Sequence, residues 1–87
     1  MKILVVCGSG LGSSFILELN VKKALESMGK EAEVTHTDLA SAKAEKADIY
    51  LGAADIVNEL AKDNAIIVSI VNMMNISEIK KKLEPWL

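Results

Sequence analysis

Arginine is missing from this chain: all ten basic residues are lysine. A phosphate site built on the bidentate guanidinium fork is therefore excluded unless another protein lends one. Cysteine occurs once, at Cys7, so no disulfide can close within the chain, and a reducing compartment suits it. Aromatic residues make up 3% of the sequence, which leaves Ile, Leu, Val, Ala and Met to build the core. No long apolar run exists; the longest, Ala65 to Val71, falls far short of the roughly 20 residues that span a bilayer. Met1-Lys2 leads straight into an apolar stretch, so no signal peptide is expected. A net charge of −2 provides no clustered basic surface for nucleic acid. The expectation is one cytoplasmic domain over residues 1–87, with no nucleic-acid partner and no direct membrane insertion.

What is present centres on one loop. Ile3-Leu4-Val5-Val6 reads as a strand and runs into Cys7-Gly8-Ser9-Gly10-Leu11-Gly12-Ser13-Ser14, after which an amphipathic pattern begins. A glycine-rich turn at the start of a helix directs backbone N–H groups inward at the positive end of the helix dipole, which suits an anion. The same field stabilises a thiolate, so Cys7 is a candidate nucleophile toward bound phosphorus. Gly8, Gly10 and Gly12 exceed what a single turn needs, and close backbone approach to an anion accounts for the excess. Ser13 and Ser14 serve as helix caps and hydroxyl donors, with Ser9 a further donor. A buried cysteine at a strand end is the plain alternative for Cys7.

Along the chain, short apolar runs alternate with helical patterns. Strand one covers Lys2 to Val6. Ser13 to Met28 reads as a helix with Leu17, Val21, Ala24, Leu25 and Met28 on one stripe, stopped by Gly29. Glu31 to Thr37 reads as an edge strand, and Asp38 as the cap of a short helix reaching about Glu45. Ala47 to Leu51 is the third strand; Gly52-Ala53-Ala54 turns the chain, and Asp55 caps a helix carrying Ile56, Val57, Leu60 and Ala61. The run Ala65 to Val71 suits a strand buried on both faces. Asn75 or Ser77 caps a last helix with Ile76, Ile79 and Leu83 inside, and Lys80, Lys81 and Lys82 mostly outside. This alternation predicts an α/β fold: one four-stranded parallel sheet, order 2-1-3-4, with helices on both faces. The Cys7 loop, Gly52 to Asp55 and Asn72 to Asn75 then meet at the carboxyl edge, beside the switch point between strands one and three.

Nucleotide loops fit poorly. A Walker loop needs Lys after its last glycine, where this chain has Ser13, and a dinucleotide fold needs a second mononucleotide half. Small cysteine phosphatases carry Cys, five residues, Arg, then Ser or Thr; here the Arg position is Ser13 and the serine is Ser14. Without that charge, a phosphocysteine forms only from an activated donor and hydrolyses slowly. Slow hydrolysis is a defect in a phosphatase and a requirement in a carrier.

The loop at residues 7–14 resembles the phosphorylation loop of the IIB components of the bacterial sugar phosphotransferase system, the ascorbate type above all and the lactose/cellobiose type less closely. Ala47-Asp48-Ile49 and Val71-Asn72-Met73 extend the likeness along the chain. The resemblance implies a phosphotransferase component whose Cys7 takes a phosphoryl group from a histidine of a IIA protein and passes it to a sugar in a membrane IIC permease. It implies phosphate binding by Gly8, Ser9, Gly10, Leu11, Gly12, Ser13 and Ser14, on a phosphatase-like loop, with no metal and no cofactor. A small cysteine phosphatase and a non-catalytic anion-binding domain are the alternatives. Of the remaining residues, Asp55 reads as a helix cap, His36 as a surface residue, and Trp86 as packing for the last helix. Leu11, Phe15 and Met73 suit an apolar docking patch at the rim.

Overall fold

An unbroken run of branched aliphatic residues makes Ile3–Val6 the buried centre of strand β1 (Lys2–Cys7), side chains alternating so that Ile3 and Val5 serve one face and Leu4 and Val6 the other. The computed structural model describes residues 1–7, 11–60, 66–72 and 74–87; for Cys7 and residues 11–14 only the backbone is described. Chain order is β1, α1 (Leu11–Met28), β2 (Glu33–Asp38), α2 (Leu39–Ala44), β3 (Ile49–Ala53), α3 (Ala54–Val57), β4 (Ile66–Ile70) and α4 (Ile76–Leu83), followed by a 3₁₀ turn, Glu84–Trp86. The four strands form one parallel sheet in the order β2-β1-β3-β4, as the alternation predicts.

Two apolar layers sandwich the sheet. On one face Leu17, Val21, Ala24 and Leu25 of α1, with Ile79 and Leu83 of α4, cover Ile3, Val5, Ile49, Leu51, Val68 and Ile70. On the other, Ala42 of α2, Val57 of α3 and Leu60 cover Leu4, Val6 and Tyr50. The α1 stripe is therefore the predicted one, with Met28 half-buried at its end. Gly29 stops the helix with φ +68°: its N–H donates to Glu26 O at 3.1 Å, and Lys30 N–H donates to Leu25 O at 3.0 Å. That pair of bonds is the Schellman stop, and its left-handed residue favours glycine.

Several expectations need correction. Helix α1 opens at Leu11 rather than Ser13, so Ser13 and Ser14 lie inside its first turn. Gly52 and Ala53 belong to β3 rather than to a turn, because a parallel strand continues wherever its neighbour offers a ladder, and Gly52 pairs with Val6. Ala53 is consequently the residue before α3; Asp55 sits in the first turn, where it complements the helix dipole without capping it. Strand β4 lies at the sheet edge, so it is not buried on both faces: Ile67 is partly exposed. Trp86 is 47% exposed in the terminal turn and does not pack α4 onto the sheet. Asp38 caps α2 as expected, its Oδ1 accepting from Ser41 N–H at 2.6 Å, and Asn75 caps α4 through Glu78 N–H at 3.1 Å. Among the described residues, no helix is long and apolar enough to cross a membrane.

Candidate functional site

A parallel sheet sends all its carboxyl ends to one edge, and here that edge carries Cys7, Asp38, Ala53 and Ile70 as the last residues of the four strands. Cys7 ends β1, one of the two central strands, between its neighbours β2 and β3. Helix α1 runs on one face of the sheet and α2 and α3 on the other, which makes the gap beyond β1 and β3 the topological switch point. Only three residues separate Cys7 from the first residue of α1. The N–H groups of the first three helical residues have no acceptor within an α-helix, so those of Leu11, Gly12 and Ser13 are donors at the start of α1. No acidic residue occupies that first turn to compete for the donors.

The predicted phosphate-binding residues divide in two. Gly8, Ser9 and Gly10 lie outside the described residues. Leu11, Gly12, Ser13 and Ser14 fall in the opening turn of α1 by their backbone, and their side chains, like that of Cys7, are outside the description. Of the proposed docking patch, Phe15 is exposed on α1, joined there by Ile16 and Leu19, while Met73 is outside the described residues and its neighbour Met74 is exposed.

Three polar side chains around this edge have their partners assigned. Asp38, paired in register with Cys7, turns its carboxylate to Ser41 N–H, and that bond holds its pKa below the usual carboxylate value. His36, expected to be a plain surface residue, has its Nδ1 3.0 Å from Oε1 of Glu18 on α1. A carboxylate only accepts, so in this bond the Nδ1–H of His36 donates. Glu78 folds back from α4: its Oε2 accepts from Val71 N–H at 2.7 Å and its Oε1 from Asn72 N–H at 3.0 Å. Lys82 Nζ adds an ion pair at 2.9 Å. The Val71 amide first, then Lys82 and the Asn72 amide, lower the Glu78 pKa to about 2.

Sequence reasoning missed both the Glu18–His36 and the Glu78 contacts. Each joins residues whose meeting depends on where a helix lands beside a strand, which no spacing along the chain encodes. A faint signal existed for Glu78: an acid one turn before Lys82 marks a helical pair, though nothing marks the strand exit that it caps. Gly52 was also misread. A Cβ there would lie 2.6 Å from the Val6 carbonyl oxygen, so glycine is required by the close approach of β1 and β3 one residue below the edge.

The comparisons with known proteins agree with this arrangement. The sequence model described as "PTS system, Lactose/Cellobiose specific IIB subunit" matches residues 2–85. The chain is 29% identical over 86 residues to an ascorbate-specific PTS system EIIB component of Mycoplasma pneumoniae, covering 95% of this chain and 90% of that one. It is 30% identical over 86 residues to the protein of the same name from Salmonella typhimurium, covering 95% and 85%. In fold it resembles the lactose-specific IIB component domain from Streptococcus pneumoniae, with a TM-score of 0.68 at 18% identity, over 99% of this chain and 93% of that one. A model match over nearly the whole length, together with the same sheet order and helix placement, makes this chain a sugar phosphotransferase component, a member of the lactose/cellobiose-specific IIB family of the PTS.

Proposed function

We propose that the protein is a cytoplasmic phosphocarrier, a single domain over residues 1–87, that holds a phosphoryl group on Cys7 between a IIA donor and a sugar. The observation that carries the reading is the family match over residues 2–85 to a chain whose lone cysteine ends a central strand, three residues before an 18-residue helix with no acid in its first turn. The Cys7 thiolate attacks the phosphorus of the IIA phosphohistidine in line. The S–P bond forms as the P–N bond breaks, and the imidazole leaves with the electron pair and takes up a proton. Backbone N–H groups of residues 8–13 receive the phosphoryl oxygens in place of the absent arginine, with Ser9, Ser13 and Ser14 as hydroxyl donors. The phosphocysteine then meets the membrane IIC permease, where a sugar hydroxyl attacks and the thiolate returns. Relatives named for ascorbate and a family named for lactose and cellobiose bracket the sugar classes to try first.

The test is transfer through a reconstituted chain: phosphoenolpyruvate, enzyme I, HPr, a panel of IIA proteins and membranes carrying the matching IIC. Wild type is expected to support sugar phosphorylation with one class of IIA, and Cys7→Ser to support none while unfolding at an unchanged temperature. A Cys7→Ser protein that passes phosphate at the wild-type rate overturns the proposal. Steady hydrolysis of an aryl phosphate by wild type, without transfer, would instead assign a phosphatase.

A further inference from the structure

Strand β4 lies at one edge of the sheet and carries no charge: Ile66-Ile67-Val68-Ser69-Ile70 pairs with β3 on one side only. In a parallel ladder alternate residues turn their backbone groups to the same side, so those of one parity in β4 face away from β3. Such an edge is a template for another strand, and native proteins blunt it with proline, a bulge or a charged side chain, lysine above all. β4 has no proline and no bulge, its register with β3 running unbroken from Ile66 to Ile70, and Ile67 is partly exposed. The other edge strand, β2, carries exposed Glu33 and Asp38 of its own. For β4 the charge comes from α4. Lys82 Nζ donates to Ser69 O at 2.6 Å, and Glu78 Oε2 accepts from Val71 N–H at 2.7 Å two residues further on. Residues 69 and 71 share one parity, so this carbonyl and this amide open on the same side of the chain, each held by a side chain where a strand partner would stand. One helical turn separates Glu78 from Lys82, and their ion pair at 2.9 Å joins the two bonds.

We infer that Lys82 guards the β4 edge: its ammonium, held by Glu78, occupies the Ser69 carbonyl and keeps a second copy of this chain from adding its own β4 to the sheet. The excluded occupant is a second copy because the uncharged edge is self-complementary. Two β4 strands meeting antiparallel about a twofold axis repeat the same contacts on both sides and oppose no like charges of their own. Lys82 works against that pairing in two ways. A joining strand must displace its bond to Ser69 O, and the twofold axis brings the ammonium of each copy to the same seam, where it loses water without gaining a partner.

The experiment is sedimentation velocity of wild type, Lys82→Arg and Lys82→Met at about 10–500 µM, concentrations at which open strand edges associate. Wild type and Lys82→Arg, which keep a cation at the edge, are expected to sediment as monomers. Lys82→Met keeps the aliphatic stem and loses the charge, and is expected to self-associate at least about tenfold more tightly than wild type. Adding Ile67→Lys to Lys82→Met returns a charge to the same edge and is expected to return the monomer. A Lys82→Met protein that stays monomeric throughout overturns the inference, as does a wild type that associates equally. So does association that persists in the double variant, because the contact then lies on another surface. Circular dichroism checks that each variant is folded; should Lys82→Met not be, Lys82→Ala takes its place with the same expectations.

Discussion

At the scale of single residues, two positions show how the edge of the sheet is held. Gly52 lets β3 approach β1 closely enough that a methyl group would collide with the Val6 carbonyl oxygen and crowd Val57 Cγ1 at 3.1 Å. Backbone cannot yield there as a flexible side chain can. Gly52→Ala is therefore expected to destabilise the fold by roughly 2–3 kcal/mol, read as a lower urea midpoint at unchanged slope. Tyr50, buried between β1 and α2, donates its hydroxyl to Glu45 O at 2.6 Å and accepts from Ala47 N–H at 3.1 Å. It thereby fixes the chain between α2 and β3. Tyr50→Phe keeps the ring and loses both bonds, at a cost of about 1–2 kcal/mol in the same measurement.

Among elements, α4 and the turn before it act as one unit, and acid should reveal it. Glu78 has a pKa of about 2 when folded, against 4.5 for the unperturbed group. A depressed folded pKa means that its contribution is complete above about pH 4.5, and is lost as pH falls from there through about 2. Glu78→Gln should accordingly be less stable than wild type at neutral pH, with the difference shrinking below pH 4.5; chemical denaturation across that window reads it. A difference that grew on acidification would contradict the assignment. The elements themselves were largely legible. The stripe Leu17, Val21, Ala24, Leu25 dictates the buried face of α1, and the unbroken apolar run Ile3–Val6 suits a strand covered on both sides. Asp38 announced its helix, and Asn75 stood with Ser77 as a candidate for the last one, because Asx caps act on residues three ahead, a distance the sequence displays. Glu78 acts on residues six and seven behind it, across a turn whose path is set by where β4 ends, and was invisible for that reason. Gly52 read as a turn because glycine's two uses, bending the chain and admitting another backbone, look identical in one dimension. Trp86 was misplaced since a large apolar side chain near a terminus gives no sign of whether the core has room left for it.

Over the whole molecule, the sheet order sets the chemistry's location and the helices set its charge. Four strand ends and the start of the longest helix share one edge, with the lone cysteine at the end of a central strand. Exposed apolar side chains on α1 and on the β4–α4 turn border that edge, while the nearby carboxylates of Asp38 and Glu78 are engaged by backbone amides. An edge whose acids are occupied in this way repels an incoming phosphoryl group less than its composition suggests. His36, the one histidine of the chain, has a half-exposed imidazole, the kind of nitrogen nucleophile that carries phosphate, and it gives the central claim a sharp alternative. The decisive measurement is therefore tryptic mass spectrometry of the protein after incubation with phosphoenolpyruvate, enzyme I, HPr and the effective IIA protein. Cleavage after lysine places Cys7 in residues 3–22 and His36 in residues 31–43. The account predicts a single added phosphoryl group on the peptide 3–22, absent from Cys7→Ser. A phosphoryl group on the peptide 31–43, or one that survives in Cys7→Ser, would contradict it.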